Sequence, residues 1–208
     1  LGDVYKRQCL LRAVFRWKFQ IISICDDSMD MIRGNELSRL HALARKMAMP
    51  MIDDVILPDS EACRWYREHY GKGIFFPIVR DEQAFRMQCR EALPVSLSLQ
   101  EEYALRGKKV VLYVGRLAPE KNLECLVRAA ASLPEDTVLV IVGSGSLKEE
   151  LQHLAGRMQV SAIFPGWLEG VRLAAWYNLA DIFVLPSLVE PFGAVVNDCL
   201  LYTSDAAD

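Results

Sequence analysis

From Lys108 onward, short continuous apolar runs alternate with amphipathic stretches: KKVVLYVG, NLECLVRAAASL, TVLVIVG, LKEELQHLAGRM, SAIFPGW, VRLAAWYNLA and DIFVLPS. A strand that is apolar on both faces is one covered by helices on both faces, so the pattern predicts a doubly wound, parallel α/β sheet. Leu123, Leu126, Val127 and Ala130 recur at helical spacing, as do Leu147, Leu151, Leu154 and Met158, which assigns them to core packing. In the preceding half, FQIISIC and DVIL read as strands, ELSRLHALARKMAM as a helix, and SEACRWYREHY as a helix opened by Asp59 or Ser60. This is a second α/β unit. The polar, helical stretch RDEQAFRMQCREALPVSLSLQEEYALRG, with Pro94 inside it, reads as the connection. A boundary within about ten residues of Pro94 is expected, giving domains over 9–94 and 95–198.

The two ends are expected to be foreign to the fold. Written as GAT-GTG-TAT-AAG-AGA-CAG, the stretch Asp3 to Gln8 has a reverse complement that, read one base out of register, encodes Cys-Leu-Leu-Tyr-Thr-Ser, the residues from Cys199 to Ser204. Opposite strands of one short DNA at both ends point to translated adapter sequence over 1–8 and 199–208. Both α/β domains are then expected to be present only in part.

Composition narrows the function. Of 208 residues, 52% are hydrophobic and 25% charged, which suits a folded domain rather than a disordered chain. The net charge of −3 and the lack of a Lys/Arg run argue against nucleic-acid binding and against a polybasic membrane patch, so small-molecule partners are expected. Cys9, Cys25, Cys63, Cys89, Cys125 and Cys199 are scattered, without C-x-x-C and without His at ligand spacing, so neither a disulfide framework nor a metal site is expected. That usage fits a reducing cytoplasm. The longest apolar runs, such as Val110–Val114, fall far short of the ~20 residues of a membrane span.

Three stretches carry candidate chemistry. In VLYVGRLAPEKN, Pro119 suits the first turn of a helix, which would set Lys121 near the positive end of the helix dipole, an unfavourable place for a cation. Arg116 at the strand's carboxyl end and Lys121 five residues on can converge on one anion, the arginine as a fork and the lysine as a point charge. In VGSGSLKEEL, Lys148 occupies the place of the third glycine of a dinucleotide fingerprint, so the stretch reads as a tight turn. The pairs Asp26–Asp27 and Asp53–Asp54 alternate faces of an extended chain and read as caps rather than as metal ligands. In LPSLVEPFGAVVND, a strand ends at Pro186, and Ser187 and Glu190 lie in the following loop. Pro191-Phe192-Gly193 then leads into a helix whose free N–H groups can meet an anion.

In this order and spacing, VLYVGRLAPEKN, VIVGSGSLKEEL, IFPGWL, LAAWYNLADIFVLPS and EPFGAVVND resemble the C-terminal half of a retaining glycosyltransferase of family four, in the glycogen-synthase and sucrose-synthase clan. The resemblance covers about Lys108 to Asp198. It implies the GT-B fold, with two Rossmann-like domains, and transfer of a hexose from a nucleotide-diphosphate sugar to an acceptor with retention, without a metal or other cofactor. Arg116, Lys121 and Glu190 fall on the family's catalytic positions. Arg116, Lys121, Gly166, Phe192, Gly193 and Asp198 fall on its donor-binding positions. Asp198 stands where the E-x7-E motif has its second glutamate. Only the first two bases of its codon precede the adapter-like sequence, so glutamate is expected in the parent gene. In place of the Asn-Gly-Val-Asp that the family shows after the interdomain strand, this chain has PIVRDEQAF.

The resemblance further implies that Glu190 touches the donor sugar and that the residue at 198 holds the ribose. Eight helical residues rise about 12 Å, more than the ~5–5.5 Å between the carboxylates of a retaining glycosidase, so these two acids do not act on one bond. Arg116, Lys121 and the helix amides near Gly193 would stabilise charge on the departing diphosphate, whose oxygen helps to deprotonate the acceptor. The acceptor would be bound by a preceding amino-terminal part, which leaves peripheral membrane association open. Two further readings stay open: a sugar-nucleotide-binding module without catalysis, against which Glu190 speaks, and a dinucleotide oxidoreductase, against which Lys148 speaks.

Overall fold

The computed structural model describes residues 20–25, 32, 39–79, 81–188, 190 and 195–199. The chain divides into two compact units, Leu1–Val79 with Glu190–Phe192 and Arg80–Val189 with Gly193–Asp208.

Among the described residues, the first unit holds a three-stranded parallel sheet in the order β1-β2-β3, formed by Ile22–Ile24, Asp54–Leu57 and Ile74–Phe75. Helix α1 spans Arg39–Ala48 and α2 spans Ser60–Tyr70. Of the two residues expected to cap α2, Asp59 does so, its carboxylate accepting from the Ala62 amide at 2.6 Å. The helix ends at Gly71, whose left-handed φ of 67° favours glycine. Ile21, Val55, Leu57, Ala62, Cys63 and Tyr66 pack one face of this sheet, while Ile22, Ile24 and Ile74 on the other face are exposed. The aspartates at 53 and 54 act structurally. Asp53 accepts from the Ile21 amide at 2.7 Å, and Asp54 accepts from the amides of Val55 and Gly73, each at 2.8 Å. Asp26 and Asp27 lie outside the described residues.

The second unit contains α3 (Glu82–Glu91), α4 (Leu93–Glu102), β4 (Lys109–Val114), α5 (Leu123–Ala130), β5 (Thr137–Val142), α6 (Lys148–Arg157), β6 (Ala162–Gly166), α7 (Gly170–Leu179) and β7 (Ile182–Phe183). The four strands among its described residues are parallel in the order β6-β5-β4-β7. Alternate residues of one strand feed opposite cores. Val111, Tyr113, Leu139 and Ile141 pack with Leu123, Leu126, Val127, Leu151 and Leu154 on one face. Val110, Leu112, Val114, Val138, Val140 and Val142 pack with Phe85, Trp176 and Tyr177 on the other. The unbroken apolar runs of β4 and β5 are thus explained by helices on both sides.

The division falls between Val79 and Arg80, ahead of the Pro94 region to which polarity and the proline pointed. Pro94 occupies the first turn of α4, where its missing N–H is not needed. Both α3 and α4 belong to the second unit because they dock on α7: the Asn178 amide nitrogen donates to Cys89 O at 2.8 Å, and the Ser96 hydroxyl donates to Ala175 O at 3.3 Å. The segments 1–19 and 200–208, which include most of the adapter-like ends, lie outside the described residues. Cys199 is described and packs against the core of the second unit.

The turn between α7 and β7 is fastened to β4 by Asp181, whose carboxylate accepts from Lys109 Nζ and from the Val110 amide, each at 2.8 Å, while its own amide donates to Val110 O at 2.9 Å. The Lys109 hydrogen bond, followed by that of the Val110 amide, holds the Asp181 carboxyl below the usual carboxylate range. A depressed folded pKa stabilises the fold above the unfolded value, and that stability is lost as pH falls through the folded one. Because the pair with Lys109 lies largely in solvent, where screening weakens it, Asp181→Ala should destabilise the protein by only about 1 kcal/mol at neutral pH, and the difference from the parent should shrink below the ordinary carboxylate range. Denaturant melts of both proteins at neutral and acid pH measure this.

Candidate nucleotide-sugar site

Because the four strands of the second unit are parallel, their carboxyl ends share one edge of the sheet, and an open α/β sheet binds ligands along that edge. Arg116 follows β4 by two residues. Its side chain is 71% exposed and pairs with Glu120 at 2.8 Å, an ion pair worth at most about 1 kcal/mol at such exposure. The guanidinium therefore remains available to an incoming anion.

Two features of Lys121 go beyond what the sequence shows. Residues Pro119–Lys121 form a 3-10 turn, and α5 starts only at Leu123, after Asn122 in the left-handed region with φ 53°. The lysine thus precedes the helix rather than standing in its first turn. It is also only 7% exposed, whereas a cation in a surface loop is ordinarily solvated.

Backbone hydrogen bonds join the loops of this edge. The Gly115 amide donates to Val142 O at 3.0 Å, the Leu117 amide to Ser144 O at 2.9 Å, and the Leu147 amide back to Leu117 O at 3.1 Å. The Gly143 amide donates to the carbonyl of Gly166 at 2.8 Å, which ties the end of β6 to the same cluster. The Leu188 amide donates to Glu120 O at 2.9 Å and brings the loop after β7 to the turn that carries Lys121. Arg116, Lys121 and Gly166 are thereby linked at the carboxyl ends of β4 and β6.

Asp198 belongs to the same unit, within a helical stretch over 195–199, and is 6% exposed. Glu190 is half-buried and groups with the first unit. Phe192 and Gly193 lie outside the described residues.

Sequence reasoning passed over the glycines of VGSGS as an ordinary turn. A Cβ on Gly143 would stand 1.9 Å from Gly115 O, and one on Gly145 would stand 2.3 Å from Leu117 O. The backbone after β5 therefore lies flat against the loop that carries Arg116, an approach open to glycine alone. Two glycines one residue apart immediately after a strand were the available signal.

Among the described residues no group of three or more His, Cys, Asp or Glu side chains could hold a metal ion, and no helix is long and apolar enough to cross a membrane. The donor set at the strand ends, an arginine and a lysine, suits an anion.

The comparisons agree with this architecture. Residues 98–199 match the family model of glycosyl transferases group 1. A GDP-mannose-dependent alpha-mannosyltransferase of Mycolicibacterium smegmatis is 33% identical over 166 residues, which cover 77% of this chain and 38% of the relative. The D-inositol 3-phosphate glycosyltransferase 2 of Catenulispora acidiphila is 37% identical over 150 residues, covering 65% of this chain and 34% of the relative. The chain thus spans well under two thirds of these relatives. The crystal structure of HepE from Anabaena, in complex with UDP and glucose, superposes with a TM-score of 0.74 at 17% identity, over 96% of this chain and 55% of that one. This likeness supports the GT-B fold. Residues 98–199 thus form a domain of the glycosyl transferases group 1 family.

Proposed function

We propose that the full-length protein transfers a hexose from a nucleoside-diphosphate sugar to an acceptor, with retention of the anomeric configuration and without a metal. The observation that carries this reading is the pairing of exposed Arg116 with buried Lys121 at the carboxyl ends of a parallel sheet, on loops held together through their backbones. When the anomeric bond breaks, negative charge develops on the diphosphate. Arg116 contributes a planar fork of donors and Lys121 a point charge, already placed where that charge appears. Phe192, Gly193 and the amides of the following helix are assigned to the same phosphates, and Gly166, at the end of β6, to the nucleoside.

Glu190 is assigned to the donor sugar and Asp198 to the ribose hydroxyls, where a carboxylate accepts charge-assisted hydrogen bonds. With glutamate at 198 in the parent protein, the longer side chain reaches the same hydroxyls. The names of the relatives support a nucleotide-sugar donor, and the mannosyltransferase favours GDP-mannose as the first to be tried. A cytoplasmic setting, where nucleotide sugars are the substrate pool, fits this reading.

The test is a transfer assay of the full-length protein with GDP-mannose and UDP-glucose in the presence of EDTA, with the anomeric configuration of the product read by NMR. Product with the donor's configuration is expected. An inverted product would refute retention, and turnover only on addition of a divalent cation would refute metal independence.

A further inference from the structure

We propose that Tyr113 is a positioning residue, whose hydroxyl sets the loop carrying Arg116 for the donor diphosphate. The proposal rests on the function above and deepens it. Tyr113 lies within β4 and is fully buried, yet its phenol is not spent on packing alone: its hydroxyl donates to Arg116 O at 2.9 Å. Gly115 makes room for that bond. A Cβ at 115 would stand 2.5 Å from the Tyr113 hydroxyl oxygen, so the phenol lies directly beneath the chain as it leaves the strand.

Three successive residues are then anchored, Gly115 by its amide on Val142 O, Arg116 by its carbonyl on the Tyr113 hydroxyl, and Leu117 by its amide on Ser144 O. This anchoring matters because the Arg116 side chain is itself exposed, and its ion pair with Glu120 is too weak at that exposure to fix a long, flexible stem. The direction of the guanidinium is therefore set chiefly by its backbone. Without the tyrosine hydroxyl, the Arg116 peptide gains freedom and the charge-assisted contact to phosphate is made less often. An effect on affinity that passes through the Arg116 side chain, and fades when that side chain is gone, distinguishes a positioning role from a general loss of stability.

The experiment is a double-mutant cycle in the full-length protein, with GDP and UDP as probes in calorimetric titrations of the parent, Tyr113→Phe, Arg116→Ala and the double variant. Tyr113→Phe keeps the ring and should weaken the better-bound probe roughly fivefold in the parent, but less than about twofold when Arg116 is already alanine. An equal effect in both backgrounds, or none in the parent, would overturn the proposal. Loss of affinity in Arg116→Ala with none in Tyr113→Phe would remove the positioning role and leave the anion site intact. Unchanged affinity in Arg116→Ala would overturn the anion site and the positioning role together. Should Tyr113→Phe fail to fold, hydrogen exchange of the parent decides the matter: peptides over residues 113–118 should gain protection on GDP or UDP binding, and unchanged exchange would refute the role.

Discussion

Replacing Lys121 by alanine in the full-length protein should weaken nucleoside diphosphate binding roughly 10- to 150-fold, the equivalent of a charge-assisted contact of about 1.5–3 kcal/mol. The expectation rests on where the lysine is held. A lysine at the surface would lose side-chain entropy on meeting a phosphate and would meet it in water, where the attraction is small. At 7% exposure Lys121 has already been ordered by the fold and works in a less polar setting, so more of the attraction survives as affinity. Lys121→Met, which keeps the apolar stem and removes the charge, separates the two contributions. It should lose nearly as much affinity as the alanine variant while melting closer to the parent. Calorimetry with GDP and UDP measures the first, and a thermal scan the second. Full affinity in both variants would remove Lys121 from the site.

Gly143→Ala should cost about 3 kcal/mol of stability, enough to lower the yield of folded protein. A new Cβ there would overlap a carbonyl oxygen at 1.9 Å, and its partner is backbone, held by β4 and by the hydrogen bonds around Leu117, so it cannot swing aside like a side chain. The φ of 142° adds strain for any residue with a Cβ. Gly156, within α6, supplies the contrast, since a Cβ there would meet nothing within 4 Å. Gly156→Ala should raise stability by about 0.5–1 kcal/mol through the helix propensity of alanine. Denaturant titration of the two variants against the parent should move the midpoints in opposite directions. A Gly143→Ala protein as stable as the parent would show that the two loops are not packed as described.

What the sequence made legible follows the reach of each signal. The apolar runs from Val110 and Val138 announced buried parallel strands because alternation fails only where both faces are covered, and both cores are present. Asp59 announced a helix start because capping is a local matter of one side chain and one amide. The stretch around Pro94 misled because proline inside a polar segment looks alike in a linker and in the first turn of a helix. The decision lay in the docking of Asn178 on Cys89 and of Ser96 on Ala175, contacts between residues some eighty positions apart. At the site, residue types and spacing picked out Arg116 and Lys121 as a pair of cations for one anion. They could not show that the lysine is buried, that it precedes the helix in a separate turn, or that Gly143 and Gly145 serve the Arg116 loop, since each depends on how neighbouring strands bring their ends together.

The carboxyl-end edge of the second unit should bind the diphosphate of a sugar donor through Arg116 and Lys121. A crystal structure of the full-length protein grown with GDP or UDP decides this. Phosphate oxygens within hydrogen-bond distance of both the Arg116 guanidinium and the Lys121 ammonium are the predicted result, and a nucleotide bound with its phosphates away from these two residues would contradict it.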